Sequence, residues 1–112
     1  LYSHGQESRK LELTKSQVQN AQEIFLFNNR LQATEEHHAI RRYKELMKED
    51  HKIIALRTAV RESAEAKLEH GIIDVNNLLQ EIIKENEAKT NLSTHEIEML
   101  KHIYELKHTV NQ

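Results

Sequence analysis

The stretch that decides the fold is EHGIIDVNNLLQE, residues 69–81. It contains Gly71, the only glycine after residue 5, in a chain without proline. Glycine takes the left-handed conformation that ends many helices more easily than any other residue. Asp74 follows as an N-cap, with a carboxylate placed to accept from the amide of Asn76 or Asn77. The stretch therefore predicts that one helix stops and another starts within a few residues.

The chain on either side of this stretch predicts two long helices. From about residue 7 to 69 nothing breaks a helix, and most positions are good helix formers. About 62 residues at 1.5 Å each give a rod of roughly 95 Å. The second helix is predicted over about 75–110, and the turn over about 70–74. Residues 1–6 are predicted as an irregular start, because Gly5 and the serines are typical of turns and caps.

The short connection predicts that the two helices lie antiparallel, as a single helical hairpin over residues 1–112. The shorter helix then covers only the C-terminal half of the longer one. About 25 residues of the first helix are left without a partner in the same chain. The predicted fold class is all-α, a long antiparallel hairpin of coiled-coil type.

Apolar residues in the first helix form two neighbouring stripes at heptad spacing. One contains Leu46, Ile53 and Val60, and the other contains Ile40, Met47 and Ile54. A strict two-stranded coiled coil shows a single stripe. A double stripe is typical of a helix wedged between two neighbours, as in a bundle or a helical barrel. The pattern therefore favours an oligomer.

For two segments, the sequence does not identify the packing partner. Ile24, Phe25, Leu26 and Phe27 form the most apolar short run, in the half of the helix without a partner. Such a patch predicts self-association. Residues 84–96, KENEAKTNLSTHE, contain only two apolar side chains where a core stripe would continue. This segment is predicted to be solvated, to line water, or to pack closely against another chain through small polar residues.

Composition excludes several function classes. The 112 residues carry a net charge of -2, which gives no footprint for nucleic-acid binding. No apolar run approaches the length of about 18 residues that a transmembrane helix needs. The chain has no cysteine, which excludes disulfides and thiolate metal sites. No nucleophile elbow, phosphate loop or cofactor fingerprint is present, so we expect neither an enzyme nor a bound cofactor.

Histidine is frequent, with eight residues in the chain. No two are four residues apart, and only His95 and His102 share a helix face, one heptad apart. That spacing is about 10.5 Å along a helix, too far for both to bind one zinc ion. We therefore predict solvated surface histidines and no metal site.

The C-terminal half resembles a known family. G-I-I-D-V-N-N-L-L-Q-E, followed by E-A-x-x-N-L-x-x-H-E-I-x-x-L-x-x-x-Y, resembles the C-terminal signature of TolC-family outer-membrane efflux proteins. The segment before Gly71 is also similar to members from Bacteroidetes-type bacteria. The positions that fit the signature are Gly71, Asp74, Asn77, Leu78, Leu79, Leu92, Leu100 and Tyr104.

The resemblance implies a piece of a trimeric channel for efflux of small molecules or for type I export. The hairpin would form part of the periplasmic α-helical barrel of a Gram-negative outer-membrane protein. Its turn would dock the periplasmic adaptor of a pump whose third part lies in the inner membrane. Contact with the membrane would be made only through β-barrel strands that this chain lacks.

The resemblance also assigns residues. The tip that binds the adaptor would comprise Leu68, Gly71, Ile72, Ile73 and Asp74, and the gate or pore would involve Asn77 and Gln80. Three positions depart from the family pattern. Leu68 replaces a tyrosine, Ile73 a basic tip residue and Gln80 an acidic pore residue. The resemblance therefore does not imply a gate held by ion pairs.

Two other functions remain open from the sequence. One is a stand-alone coiled-coil module for protein–protein interaction, with Gly71 as an ordinary hairpin turn. The other is a metal-binding helical bundle.

Overall fold

The structure is a computed structural model that describes residues 2–111. It contains α1 (Tyr2–Glu69) and α2 (Val75–Val110), with no strand in the described range. The helices run antiparallel, because residues early in α2 meet residues late in α1, as Glu85 meets Arg61. The molecule is a rod of 103 × 20 × 15 Å. The all-α prediction is thus confirmed. Leu1 and Gln112 lie outside the described residues.

The start of α1 differs from the prediction. Residues 2–6 are helical and include Gly5, where an irregular segment was expected. A glycine inside a helix costs only about 1 kcal/mol relative to alanine, and no proline opposes the helix there. The strong helix formers that follow therefore extend the helix back through Gly5.

A continuous seam joins the two helices. Buried and half-buried side chains recur on both helices at alternating steps of three and four, as in a coiled coil. The seam of α1 contains Ala33, Glu36, Ile40, Tyr43, Met47, Asp50, Ile54, Arg57, Arg61, Ala64 and Leu68. The seam of α2 contains Leu78, Glu81, Glu85, Ala88, Leu92, His95, Met99, His102, Leu106 and Thr109.

The seam uses one of the two apolar stripes of α1. Ile40, Met47 and Ile54 face α2, whereas Ile53 and Val60 of the other stripe are exposed. One helix partner can cover only one side of a helix. The second stripe is therefore apolar and has no partner within residues 2–111.

The polar segment 84–96 is not simply solvated. The seam passes through it at Glu85, Ala88 and His95, and the first two of these are buried. Only the positions outside the seam, such as Asn86 and Thr90, are exposed. The expectation of a solvated segment is therefore wrong for its seam positions, because the heptad repeat of α2 continues there through polar residues.

The N-terminal part of α1 extends beyond the end of α2. Every side chain from Ser3 to Asn28 is exposed, including the apolar run 24–27. The end of α2 lies beside the next part of α1, where burial begins at Asn29. We call residues 3–28 the overhang.

Candidate functional site

The turn between the helices is fixed by its backbone. Gly71 has φ +67°, the left-handed conformation expected from the sequence. The N–H of Ile72 donates to the carbonyl of Lys67 at 2.8 Å, and the N–H of Gly71 donates to the carbonyl of Leu68 at 3.0 Å. This pair of bonds is a Schellman motif, which satisfies carbonyls at the end of α1.

The start of α2 is fixed by a reciprocal cap. The N–H of Asn77 donates to Oδ1 of Asp74 at 2.8 Å, and the N–H of Asp74 donates to Oδ1 of Asn77 at 3.2 Å. Each side chain thus satisfies the backbone of the other, as in a capping box. The predicted cap is present with Asn77 as its partner, and the amide of Asn77 is held at the turn.

The five predicted tip residues differ in their positions and exposure. Leu68 lies in the seam, and Gly71 and Asp74 shape the turn. Ile72 is 68% exposed and Ile73 is half-buried. An apolar side chain as open as Ile72 gains nothing from its position in this chain alone. Ile72 is therefore the most exposed apolar residue among the five.

A groove of about 430 Å³ lies beside the turn, between the two helices. On the α1 side, the groove is lined by Ala59, Val60, Ser63, Ala64 and Lys67. Its α2 side contains Ile73, Asn77, Gln80 and Glu81. The structure thus brings the two expected gate residues, Asn77 and Gln80, to one side of one groove.

A charged layer crosses the seam next to this groove. Nε of Arg61 lies 2.9 and 3.0 Å from the two carboxylate oxygens of Glu85, and its Nη1 lies 2.7 Å from Glu65. A hydrogen bond from the Thr58 hydroxyl, and then one from Arg61, lower the pKa of Glu85 from its ordinary value. The hydrogen bond to Glu85 is the main cause of a raised pKa of Arg61.

Two histidine–carboxylate pairs cross the seam farther from the turn. Nδ1 of His95 lies 2.5 Å from Oδ2 of Asp50, and Nδ1 of His102 lies 2.5 Å from Oε2 of Glu36. The ring of Tyr43 lies between the two imidazoles, with centroid distances of 5.9 Å to His95 and 5.6 Å to His102. These two histidines are half-buried in the seam, so the prediction of surface histidines is wrong for them.

The sequence carried a signal for these pairs that apolar patterning misses. Both histidines continue the heptad repeat of Ala88, and both carboxylates continue that of Tyr43. A search restricted to apolar residues stops at such positions. No three histidine, aspartate or glutamate side chains of residues 2–111 are grouped so that they could hold a metal ion.

Where α1 and α2 lie side by side, each helix carries an exposed apolar stripe. The α1 stripe comprises Leu46, Ile53, Leu56 and Val60, which are 37–64% exposed. The α2 stripe comprises Leu79, Ile83, Ile97, Leu100 and Tyr104, which are 46–70% exposed. The residues of each stripe are separated by steps of three, four, seven or fourteen, so each set lies along one side of its helix, and the α2 stripe is interrupted between Ile83 and Ile97 by polar residues.

The two stripes lie on different sides of the hairpin. The α1 stripe flanks the groove, because Val60 forms part of its wall. The α2 stripe is turned away from α1, because its positions are offset from the seam by about 150° in a heptad repeat. Each hairpin therefore presents two unlike apolar surfaces.

No helix within residues 2–111 combines the length and apolarity needed to cross a membrane. Comparison with known proteins found no matching family model, no curated relative and no similar solved structure.

Proposed function

We propose that this chain is a wall segment of an oligomeric α-helical channel of the TolC family, serving efflux or type I export. Its role is passive. The helices form part of a conduit, and the turn docks a periplasmic adaptor protein of a pump that also has an inner-membrane component.

The observation that carries the proposal is the pair of unlike stripes. If two copies met through the same stripe, the contact would be self-complementary and would close as a dimer. A contact between the α1 stripe of one copy and the α2 stripe of the next leaves a stripe free at each end. Such a head-to-tail contact builds a ring when its rotation closes. A ring of hairpins is the wall of a helical barrel.

The unequal helix lengths and the turn support the same assignment. The overhang bears apolar side chains that only another chain segment can cover, among them Phe25 and Phe27. At the other end, Ile72 and Val75 are exposed beside a rigid turn. The long-and-short pair, with an apolar tip, fits the unit that the family resemblance implies.

The two residues predicted for the gate, Asn77 and Gln80, have different roles in this proposal. The side chain of Asn77 bonds to the N-cap, so a change at Asn77 would loosen the turn as well as any gate. Gln80 is exposed on the groove wall. We therefore propose Gln80 as the pore-facing candidate and Asn77 as part of the turn.

Cysteine cross-linking tests the head-to-tail contact directly, since the chain has no cysteine of its own. Ile53→Cys and Ile97→Cys proteins are oxidised separately and as an equal mixture, with light scattering to follow the oligomer. We expect the mixed disulfide to exceed both homodimers and the unmodified chain to form oligomers larger than a dimer.

Matched controls place cysteine on exposed polar positions of the same helices, Lys48→Cys and Lys101→Cys. These should cross-link weakly in every combination. Preferential Ile53–Ile53 disulfides in a closed dimer would overturn the ring and favour the stand-alone coiled-coil module. A monomer at high concentration would count against both.

Adaptor docking is tested separately. Ile72→Asp removes the most exposed apolar side chain of the turn without touching its hydrogen bonds. We expect weaker binding to the hairpin domain of the cognate adaptor and an unchanged oligomer. If Ile72→Asp and the unmodified chain bound the adaptor equally well, the turn would not be the docking site.

A further inference from the structure

The two histidine–carboxylate pairs have no part in the proposed channel wall. Asp50 is among the most buried side chains of the described chain, with 7% of its surface exposed. Burial of a carboxylate is costly unless it is paired and hydrogen-bonded. Its partner His95 is on the other helix, so opening the hairpin at this point separates the pair.

The second pair repeats the arrangement nearer the open end. His102 and Glu36 are joined across the seam, and the His102 ring stacks on Tyr43. Together the two pairs and the tyrosine occupy the seam where α2 approaches its C-terminus. We call α1 residues 33–54 with α2 residues 92–109 the far half, and α1 residues 57–68 with α2 residues 78–88 the near half.

We propose that these two pairs form a proton-sensitive latch, which holds the far half closed at mildly acidic pH and weakens it at alkaline pH. Histidine changes its charge near neutral pH more readily than any other side chain. An imidazole with a proton on Nδ1 donates to the carboxylate in either charge state. Because the carboxylate is ionised, the bond is charge-assisted in both states, and only the imidazolium adds the attraction of an opposite charge.

The direction follows from proton linkage. A charge that meets an opposite charge only in the closed hairpin stabilises closure while it is present, and this contribution is lost as rising pH removes the proton. Desolvation opposes the effect, because burial disfavours the charged form. The imidazoles of His95 and His102 keep 27% and 28% of their side-chain surface exposed, so their desolvation is partial.

Other titratable groups near the latch do not reverse this direction. Glu36, Tyr43 and Asp50 face the imidazoles from α1, and the Arg42 guanidinium lies 5.2 Å from the Tyr43 ring centre. The groups on the flanking positions are His37, Lys44 and His51 of α1 and Glu96, Glu98 and Glu105 of α2. The facing groups thus comprise one carboxylate in direct contact with each imidazole and one guanidinium beside the tyrosine.

The near half supplies an internal control. Its interhelical ion pair joins Arg61 and Glu85, and neither of these residue types changes charge between about pH 5.5 and 8.5. Amide hydrogen exchange reports local opening in both halves of the same molecule. The test measures protection factors at these two pH values, corrected for intrinsic exchange, at a concentration where light scattering shows the same oligomer.

We expect protection in the far half to fall about fivefold to thirtyfold on raising the pH, which is the effect of a few weakened charge-assisted bonds. Protection in the near half should change much less. The double variant His95→Gln/His102→Gln keeps a hydrogen-bond donor at both positions, but neither side chain can change its charge. In this protein the pH-dependent loss of protection in the far half should disappear. The matched control His38→Gln/His70→Gln changes two exposed histidines outside the seam and should behave as the unmodified chain.

Equal pH dependence in the two halves, or a loss that survives in the His95→Gln/His102→Gln protein, would overturn the latch. If that protein does not fold, the comparison of far and near halves in the unmodified chain decides the question alone. The proposal does not depend on the channel assignment, because it concerns closure within one chain.

Discussion

Arg61 of α1 and Glu85 of α2 form an ion pair between the helices in which Nε lies within 3.0 Å of both carboxylate oxygens. Glu85 is 4% exposed. The guanidinium reaches on to Glu65 of its own helix, so one cation serves two carboxylates. This layer lies beside the groove, at the end of the hairpin nearest the turn.

Removing the buried member of this pair should destabilise the hairpin. Glu85→Ala removes the ion pair between the helices and leaves the half-buried guanidinium of Arg61 with Glu65 of its own helix as its carboxylate partner, and breaking such a pair is costly. We expect a lower melting temperature by circular dichroism. Glu87→Ala, two residues along and exposed, is the matched control and should have little effect. Equal melting temperatures of the two variants would show that the Arg61–Glu85 pair does not contribute to stability.

Acid should weaken the same layer. Because the pKa of Glu85 is lowered by Thr58 and Arg61, its carboxylate contributes stability above the ordinary value of 4.5, and this is lost as the pH falls through the lower folded value. We expect an NMR titration to place the Glu85 midpoint below 4.5. Thr58→Val should raise that midpoint, whereas Thr34→Val, in the same helix, should not move it. A midpoint unchanged by Thr58→Val would contradict the hydroxyl bond.

A β-branched residue in place of Gly71 should destabilise the turn. No neighbouring atom lies within 4 Å of the position that a Cβ would take, so the cost of Gly71→Val comes from its φ of +67° alone. That conformation costs an L-residue about 1–2 kcal/mol. Denaturant unfolding should show this loss, while Gly5→Ala, inside α1, should preserve or increase stability. No loss in Gly71→Val would mean that the turn can adopt another conformation.

The cap at Asp74 should matter about as much. Asp74→Ala removes the acceptor for the Asn77 N–H, and loss of an N-cap costs about 1 kcal/mol. Asn76→Ala, exposed and next to the capping pair, is the control. The difference between the two variants in denaturant unfolding measures the cap. If both variants unfold alike, the capping box contributes nothing.

The turn could be predicted from sequence because its chemistry is local. Gly71 and Asp74 act on backbone groups within a few residues, so their roles are visible without knowing the fold. The seam was harder to predict. Two heptad stripes run side by side on α1, and spacing alone does not say whether Met47 or Ile53 faces α2. That choice depends on where α2 lies.

The polar layers of the seam escape sequence patterning for a related reason. Asp50 and His95 are 45 residues apart, and each alone resembles a surface residue of a charged helix. Their burial follows from pairing across the hairpin, which no local window contains. The prediction for the start of α1 was wrong because a single glycine has less influence on the backbone than the long helical run that follows it.

The overhang has a consequence for assembly. A helix without lateral contacts is held together mainly by its own backbone bonds, and such helices are marginal in water. The helical order of residues 3–28 therefore rests on those backbone bonds, and any chain segment that covers the overhang adds to it. Coverage of the overhang and stability of its helix are thus thermodynamically linked. The stiffness of this part of the rod is then set by what packs against it as well as by its own sequence.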